Sequence, residues 1–366
     1  MERKEKPRST RRLTDTLPLL AGALRRLPGV AVVPPMGALA ALATLPFIVP
    51  GSSGDVDAEA GVVAVSLPPP AAFPGVPPAG AARVEYWRAR FLGDLAGTIE
   101  EFRVQERVYG ALIREKLTER GLPSELLYLA MIESGLRPRA TSRVEAAGVW
   151  QFMGPTAEAY GLRVDGWVDE RRDPVRATDA ALDYLGWLFE QYGSWSLAAA
   201  AYNAGPTRVN RILREHGWDG TDGDHFYWEI RPALPFETRE YIPRLMAVAE
   251  VVKALDRLEA EAGMKGPVPG DRGNRSGTAP AVRTVGDTRP GGYTFSQVWM
   301  PGGTDLGLVA DRLEVERRVI AMLNPHLIQG RTPPGEAFPV RVPSGSAFQA
   351  VASLGRGGRG LRRTDD

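Results

Sequence analysis

The chain has 366 residues, is 43% hydrophobic and carries a formal net charge of +1. That length suits one catalytic domain with accessory parts, the apolar share allows a sizeable core, and the near-zero charge offers no global basic field for nucleic acid. Cysteine is absent, which excludes disulfides, thiolate metal sites, a cysteine nucleophile and lipid attachment at an N-terminal cysteine, and the three histidines, His216, His225 and His326, lack metal-ligand spacing and read as surface or loop residues, so neither a metal nor another cofactor is expected.

In chain order, residues 1–50 read as a basic leader with an apolar segment. Residues 1–26 are basic on balance, with Arg11-Arg12 and Arg25-Arg26, and residues 27–54 carry no charge. The cleanest apolar run, 36–49, is shorter than the ~20 residues a membrane span needs but suits the core of a signal segment. Export or membrane anchoring is the expectation, against a disordered Pro/Ala-rich leader. Residues 51–83, rich in Pro, Gly and Ala, predict a linker.

Helical periodicity runs over residues 84–262. Phe91, Leu95, Ile99 and Phe102 recur at helical spacing, and Val108, Leu112 and Ile113 continue toward Gly121. Pro123 opens the next helix, with Ser124 and Glu125 in its first turn. Asp173-Pro174 begins another, with Ala177, Ala181, Leu185 and Leu188 on one stripe, ending at Tyr192-Gly193. Residues 195–204 form a small-residue helix and 238–258 a last amphipathic one. The fold class expected is mainly α, an orthogonal bundle of helices. Residues 263–292 predict a second linker. Residues 293–345 predict a small α+β unit in the order strand (294–300), helix (305–312), helix (316–323), strand (338–342). Residues 346–366 predict a disordered basic tail.

The chemistry centres on the segment LLYLAMIESG. Glu133 follows Leu126, Leu129 and Ala130 by seven, four and three residues, which places it on the apolar face of its helix. It also sits in the last turn, where the helix dipole disfavours negative charge. Burial and dipole both raise a carboxyl pKa, as a general acid at neutral pH requires. From this helix alone, a solvated glutamate near a helix end is the reading to favour.

Four motifs follow one another in the order Glu133-Ser134; Gly148-Val149-Trp150-Gln151-Phe152-Met153; Ala201-Tyr202-Asn203-Ala204-Gly205; and Glu237-Thr238-Arg239-Glu240-Tyr241. Together they resemble the catalytic domain of soluble-type lytic transglycosylases, in the membrane-bound transglycosylase D branch, related to goose-type lysozyme. The resemblance covers about residues 86–258. Each motif is weak alone; four in order are specific. Val149, where the family commonly has Leu, and Pro206, after the Asn-Ala-Gly turn, are departures. The resemblance implies a lysozyme-like helical fold and roles for single residues. Glu133 resembles the catalytic acid/base and Ser134 the hydroxyl that helps position the sugar. Gln151 resembles the polar residue lining the glycan groove, and Asn203 the amide that holds the substrate's N-acetyl group. Tyr241 resembles the tyrosine that hydrogen-bonds the glutamate, while Tyr202 shapes the cleft. Tyr202 and Trp150 equally suit core packing, and Asn203-Ala204-Gly205 equally suits a helix C-cap.

The resemblance assigns a catalytic role to no carboxylate in these motifs besides Glu133, whereas an ordinary glycosidase uses two. Glu145, Glu158, Asp165 and Asp169 read as solvated. The resemblance implies a non-hydrolytic cleavage that leaves a 1,6-anhydro end. The alternatives are a muramidase on the same fold and a non-catalytic peptidoglycan-binding scaffold. Peptidoglycan strands are the expected partner of a monomer in the periplasm or cell envelope. Leu323-Asn324-Pro325, Pro333-Pro334-Gly335 and the approximate Gly303-Thr304-Asp305-Leu306 make residues 293–345 resemble a divergent LysM-type glycan-binding module; a packing appendage is the other reading.

Overall fold

The computed structural model describes residues 73–261 and 293–355. The expected leader, most of the first linker and the second linker lie outside the described residues. Among those described, the chain is mainly helical with one small two-stranded sheet near the C-terminus.

Helix α1 (Pro78–Leu92) begins inside the stretch read as linker. Proline at its start costs nothing, since the first turn's N–H groups lack intrahelical partners. Gly80 lets the Trp228 ring close on the helix: a Cβ there would lie 2.3 Å from the indole. Small residues that looked like linker composition are thus packing residues. Val84, Trp87 and Phe91 form the buried stripe of α1. Helix α2 (Ala96–Glu119) buries Ile99, Phe102, Tyr109, Ile113 and Leu117.

Helix α3 (Leu126–Ser134) is buried at all nine positions and ends at Gly135, whose φ of 63° is the left-handed cap glycine tolerates. Turn-like bonds to the carbonyls of Pro123, Ser124 and Glu125 lead into it, so the expected first turn precedes the helix proper. A non-helical segment follows, with single bridges Thr141–Ala147 and Ala147–Phe152, then the short α4 (Gly154–Ala159).

Helix α5 (Pro174–Tyr192) is N-capped by the Asp173 carboxylate, which accepts from the amides of Val175 and Arg176. Ser194 caps α6 (Trp195–Ala204), whose alanines are buried. Helices α7 (Pro206–Glu215) and α8 (Gly223–Ile230) come next, followed by α9 (Phe236–Glu261). Pro243 inside α9 removes the donor that would satisfy the Arg239 carbonyl; Arg231 Nε supplies the replacement at 2.8 Å. Buried Glu240 accepts from Arg83, Trp87 and Arg231, tying α1 to α9.

The C-terminal unit contains β1 (Ser296–Met300), α10 (Leu306–Arg312), α11 (Arg317–Leu323) and β2 (Phe338–Val342). The strands pair antiparallel, Val298 opposite Val340, with alternate side chains of β1 buried. Helix α12 (Ala347–Gly355) occupies the start of the stretch expected to be a disordered tail. Ala350 is fully buried against the core of this unit, and that apolar contact gives the segment a reason to fold. Each core borrows from the other: Tyr293 and Leu323 join the large helical core, and Val168 joins the core of the C-terminal unit.

Candidate active site

Glu133 lies in the last turn of α3 with 6% of its surface exposed. Burial pushes its carboxyl up to about 8 from the usual 4.5. A hydrogen bond from Tyr241 opposes the rise, the charge of Glu237 adds to it, and Arg244 opposes it. Desolvation wins because a buried carboxylate has exchanged water for a single hydroxyl donor. Tyr241 Oη donates to Glu133 Oε1 at 2.5 Å across 108 residues of sequence. Tyr241 is itself buried, and burial followed by the neighbouring Glu133 holds its hydroxyl well above the usual range, so it stays a donor.

Helix α9 presents three groups to this carboxyl. Glu237, Tyr241 and Arg244 are four and three residues apart, the spacing that puts side chains on one helix face. The sequence motifs named Tyr241 but assigned nothing to Glu237 or Arg244. Their spacing from Tyr241 was the available signal; their approach to Glu133 was not, because it depends on how α9 packs on α3.

The segment 148–152 forms the neighbouring wall. Gly148 has φ of 83°, and a Cβ there would lie 1.7 Å from the Arg171 carbonyl oxygen, so this position demands glycine. Gln151 has φ of 51°, is 9% exposed, and donates from Nε2 to the Gly148 carbonyl at 2.9 Å. Ser134, beside the glutamate, donates to the Val149 carbonyl at 2.7 Å and accepts from the Arg137 amide at 3.2 Å. Its hydroxyl thus ties the end of α3 to the 148–152 segment and keeps one acceptor lone pair. Trp150 is fully buried with its indole N–H on Thr178, the arrangement of a core residue.

Tyr202 and Asn203 come from the end of α6. Tyr202 is half-buried and donates to the Trp150 carbonyl at 2.9 Å; burial, then Glu133, then Tyr184 hold its hydroxyl well above the usual range. Its ring contacts Phe152 and Tyr184. Asn203 Oδ1 accepts from Thr238 Oγ1 of α9 at 2.8 Å. No described residue accepts from the Asn203 amide nitrogen, which keeps its donors. The Gly205 amide returns to the Ala201 carbonyl, so the Asn-Ala-Gly turn also closes α6.

The other acids near these motifs divide. Glu145 and Glu158 are exposed. Asp165 bonds Arg163 and the Trp167 and Val168 amides. Asp169, expected on a solvated face, is instead 5% exposed and holds Arg171 and Arg172, because those two guanidinium groups accompany it out of water. His326, expected at the surface, is 4% exposed, packed where the C-terminal unit meets the 169–173 turn. A hollow of about 320 Å3 between α1 and α9, lined by Arg88, Glu250, Lys253 and Arg257 among others, shares no residue with the Glu133 cluster.

Comparison with known proteins gives matches over part of the chain. Membrane-bound lytic murein transglycosylase D of Escherichia coli (strain K12) is 37% identical over 142 residues, 38% of this chain and 30% of that protein. Soluble lytic murein transglycosylase of Salmonella typhimurium is 30% identical over 131 residues, 34% of this chain and 19% of that one. The solved 70-kDa soluble lytic transglycosylase of Escherichia coli superposes with a TM-score of 0.34 at 26% identity, covering 46% of this chain and 28% of that one. The chain spans under a third of the length of either of these two curated relatives. Residues 111–224, which include Glu133, Ser134, Gln151, Tyr202 and Asn203, match the Transglycosylase SLT domain family, while Tyr241 lies beyond the matched stretch.

Proposed function

We propose that this chain is a peptidoglycan lytic transglycosylase that cleaves the β-1,4 bond between N-acetylmuramic acid and N-acetylglucosamine without water. The observation that carries the reading is the buried Glu133 carboxyl, raised to about 8 and held by Tyr241. The SLT-domain match over residues 111–224 supports it.

A carboxyl with that pKa is protonated at neutral pH and serves as general acid. Glu133 protonates the 4-oxygen that leaves as the glycosidic bond breaks. The substrate's own 2-acetamido oxygen stabilises the positive charge that develops at C1. The Glu133 carboxylate, now anionic, takes the proton of the muramoyl 6-hydroxyl, whose oxygen bonds to C1. The acid is regenerated, one C–O bond has broken and one has formed, and the product ends in 1,6-anhydromuramic acid. The Tyr241 hydroxyl stabilises the transient carboxylate. The uncommitted Asn203 amide suits the acetamido group, and Gln151 lines the groove.

Cleavage of this bond sets the working place at the cell wall, with the basic leader as export or anchor segment and the chain acting as a monomer. The order strand, helix, helix, strand supports a LysM-like, glycan-binding role for the C-terminal unit. Residues 78–261 make up the catalytic domain in this reading.

The test is mass spectrometry of soluble products after the full chain is incubated with peptidoglycan, beside Glu133→Gln. Anhydromuropeptides released by the native chain and reduced about 10²–10⁴-fold in the variant support the reading. Reducing-end muropeptides make the chain a muramidase. Binding without products from either protein makes it a scaffold.

A further inference from the structure

The 169–173 turn joins the C-terminal unit to the wall that carries Gln151, and it does so through buried groups. On the C-terminal side, Arg341 of β2 donates from Nη2 to Asp173 Oδ2 at 2.6 Å across 168 residues of sequence. Both side chains are almost fully enclosed, at 8% and 2% exposure. Arg341 Nη1 reaches the Tyr293 hydroxyl at 3.3 Å, and that hydroxyl donates to the Leu323 carbonyl at 2.6 Å while its ring packs on Tyr109. Asn324 clamps the backbone of Arg341 in both directions, accepting from its amide and donating to its carbonyl. The Asp169 amide donates to the His326 carbonyl, and Val168 bridges Leu327.

On the other side, the same turn grips the 139–152 segment. Asp169 orients Arg171 and Arg172. Arg171 Nη1 donates to the carbonyls of Glu145 and Phe152, and Arg172 to the Arg139 carbonyl and the Thr141 hydroxyl. The Arg171 carbonyl presses directly on Gly148. Asp173 thus serves two masters at once: one oxygen caps α5 and the other holds Arg341.

A buried ion pair adds little net stability over apolar side chains of the same volume. A unit attached only to bind glycan would need no such pair with the catalytic domain. We propose that the C-terminal unit is a working part of the active site, with Arg341 as a positioning residue. Through Asp173 and the turn it anchors, Arg341 holds the 148–152 segment, and with it Gln151 and the Val149 carbonyl that fixes Ser134 beside Glu133. The catalytic consequence rests on the transglycosylase reading; the mechanical link does not.

The experiment uses the full chain and compares Arg341→Met with the native protein in two arms. The first is hydrogen exchange read by mass spectrometry well below the unfolding temperature. Loss of protection in 139–152, with α6 and α9 unchanged, is the expected result. The second is the pH profile of anhydromuropeptide release. Loosening the wall hydrates Glu133, so kcat falls about 10–100-fold and the alkaline limb moves to lower pH. The groups that face Glu133 are Tyr202 of α6 and Glu237, Tyr241 and Arg244 of α9, and the variant touches none of them. If Arg341→Met does not fold, Asp173→Asn combined with Arg341→Met removes both charges while keeping a capping side chain, and is measured in its place. Exchange lost only within 296–342, with 139–152 and the pH profile unchanged, overturns the proposal. Should the native chain release no anhydromuropeptides, the functional reading fails while the exchange arm still decides the link.

Discussion

Glu133 and Asp173 are both buried carboxyl groups, at 6% and 1% exposure, yet they lie in regions that treat charge in opposite ways. Glu133 faces two tyrosine hydroxyls and the offsetting charges of Glu237 and Arg244, so desolvation prevails and its carboxyl rises to about 8. Asp173 suffers the same desolvation, but Arg341, His326 and backbone amides outweigh it and hold its carboxyl below the usual range. Burial drives His326 to about 4, so at neutral pH that ring is uncharged and Arg341 supplies the positive charge. Burial alone therefore does not set a carboxyl's role; the number and charge of its donors do. One region favours the protonated acid, and the other favours the carboxylate that Arg341 meets.

The strongest way to break this comparison is Asp173→Ala, which uncaps α5 and strands Arg341 in the interior. A loss of roughly 3–5 kcal/mol is expected, measured by urea unfolding of the full chain, with Asp173→Asn milder only by the retained cap, about 1 kcal/mol, because Arg341 still loses its charged partner. A loss within experimental scatter would mean that Arg341 finds another partner.

The two regions also impose opposite pH slopes. The folded pKa of Glu133 is raised, so its contribution to stability is complete below the unfolded value near 4.5 and is lost as pH rises to about 8. The decline approaches about 1.4 kcal/mol per pH unit within that window. Glu133→Gln removes the slope, so the variant gains on the native chain from pH 5 to pH 8 in parallel thermal melts. Asp173 is depressed, so its contribution is present above its unfolded value near 3.8 and is lost as pH falls through its folded pKa. Acid melts of Asp173→Asn should therefore show a shallower decline than those of the native chain.

Smaller changes sharpen the picture at Glu133. Tyr241→Phe removes the donor that stabilises the carboxylate. A charge-assisted bond of this kind is worth about 1.5–3 kcal/mol, so release of anhydromuropeptides should fall by roughly 10–100-fold, with the alkaline limb of the pH profile moving up. Glu237→Gln should move that limb down, because the Glu237 charge helps keep Glu133 protonated. An unmoved limb in both variants would show that another group controls the profile.

Much of the helical framework was legible in the chain. Asp173-Pro174 and Gly193 mark the two ends of the helix that they cap, and β2 spans the residues read as the closing strand. The start of α1 and the whole of α12 were hidden, since Ala, Gly and Pro read as linker and a tail rich in Gly and Arg reads as disorder until a neighbour covers them. At the site, the position of Glu133 on a buried helix end was readable, but the use of Ser134 as a tie to Val149 was not.

What the sequence determined by itself is what short-range physics can encode. Helical periodicity, capping chemistry and the placing of Glu133 on an apolar face each depend on residues within a few positions. The tertiary structure decided which distant groups meet. Tyr241 reaches Glu133 across 108 residues, and Arg341 reaches Asp173 across 168. A carboxyl's proton affinity follows from its three-dimensional surroundings, so only packing could keep one of these acids protonated near neutral pH and the other charged.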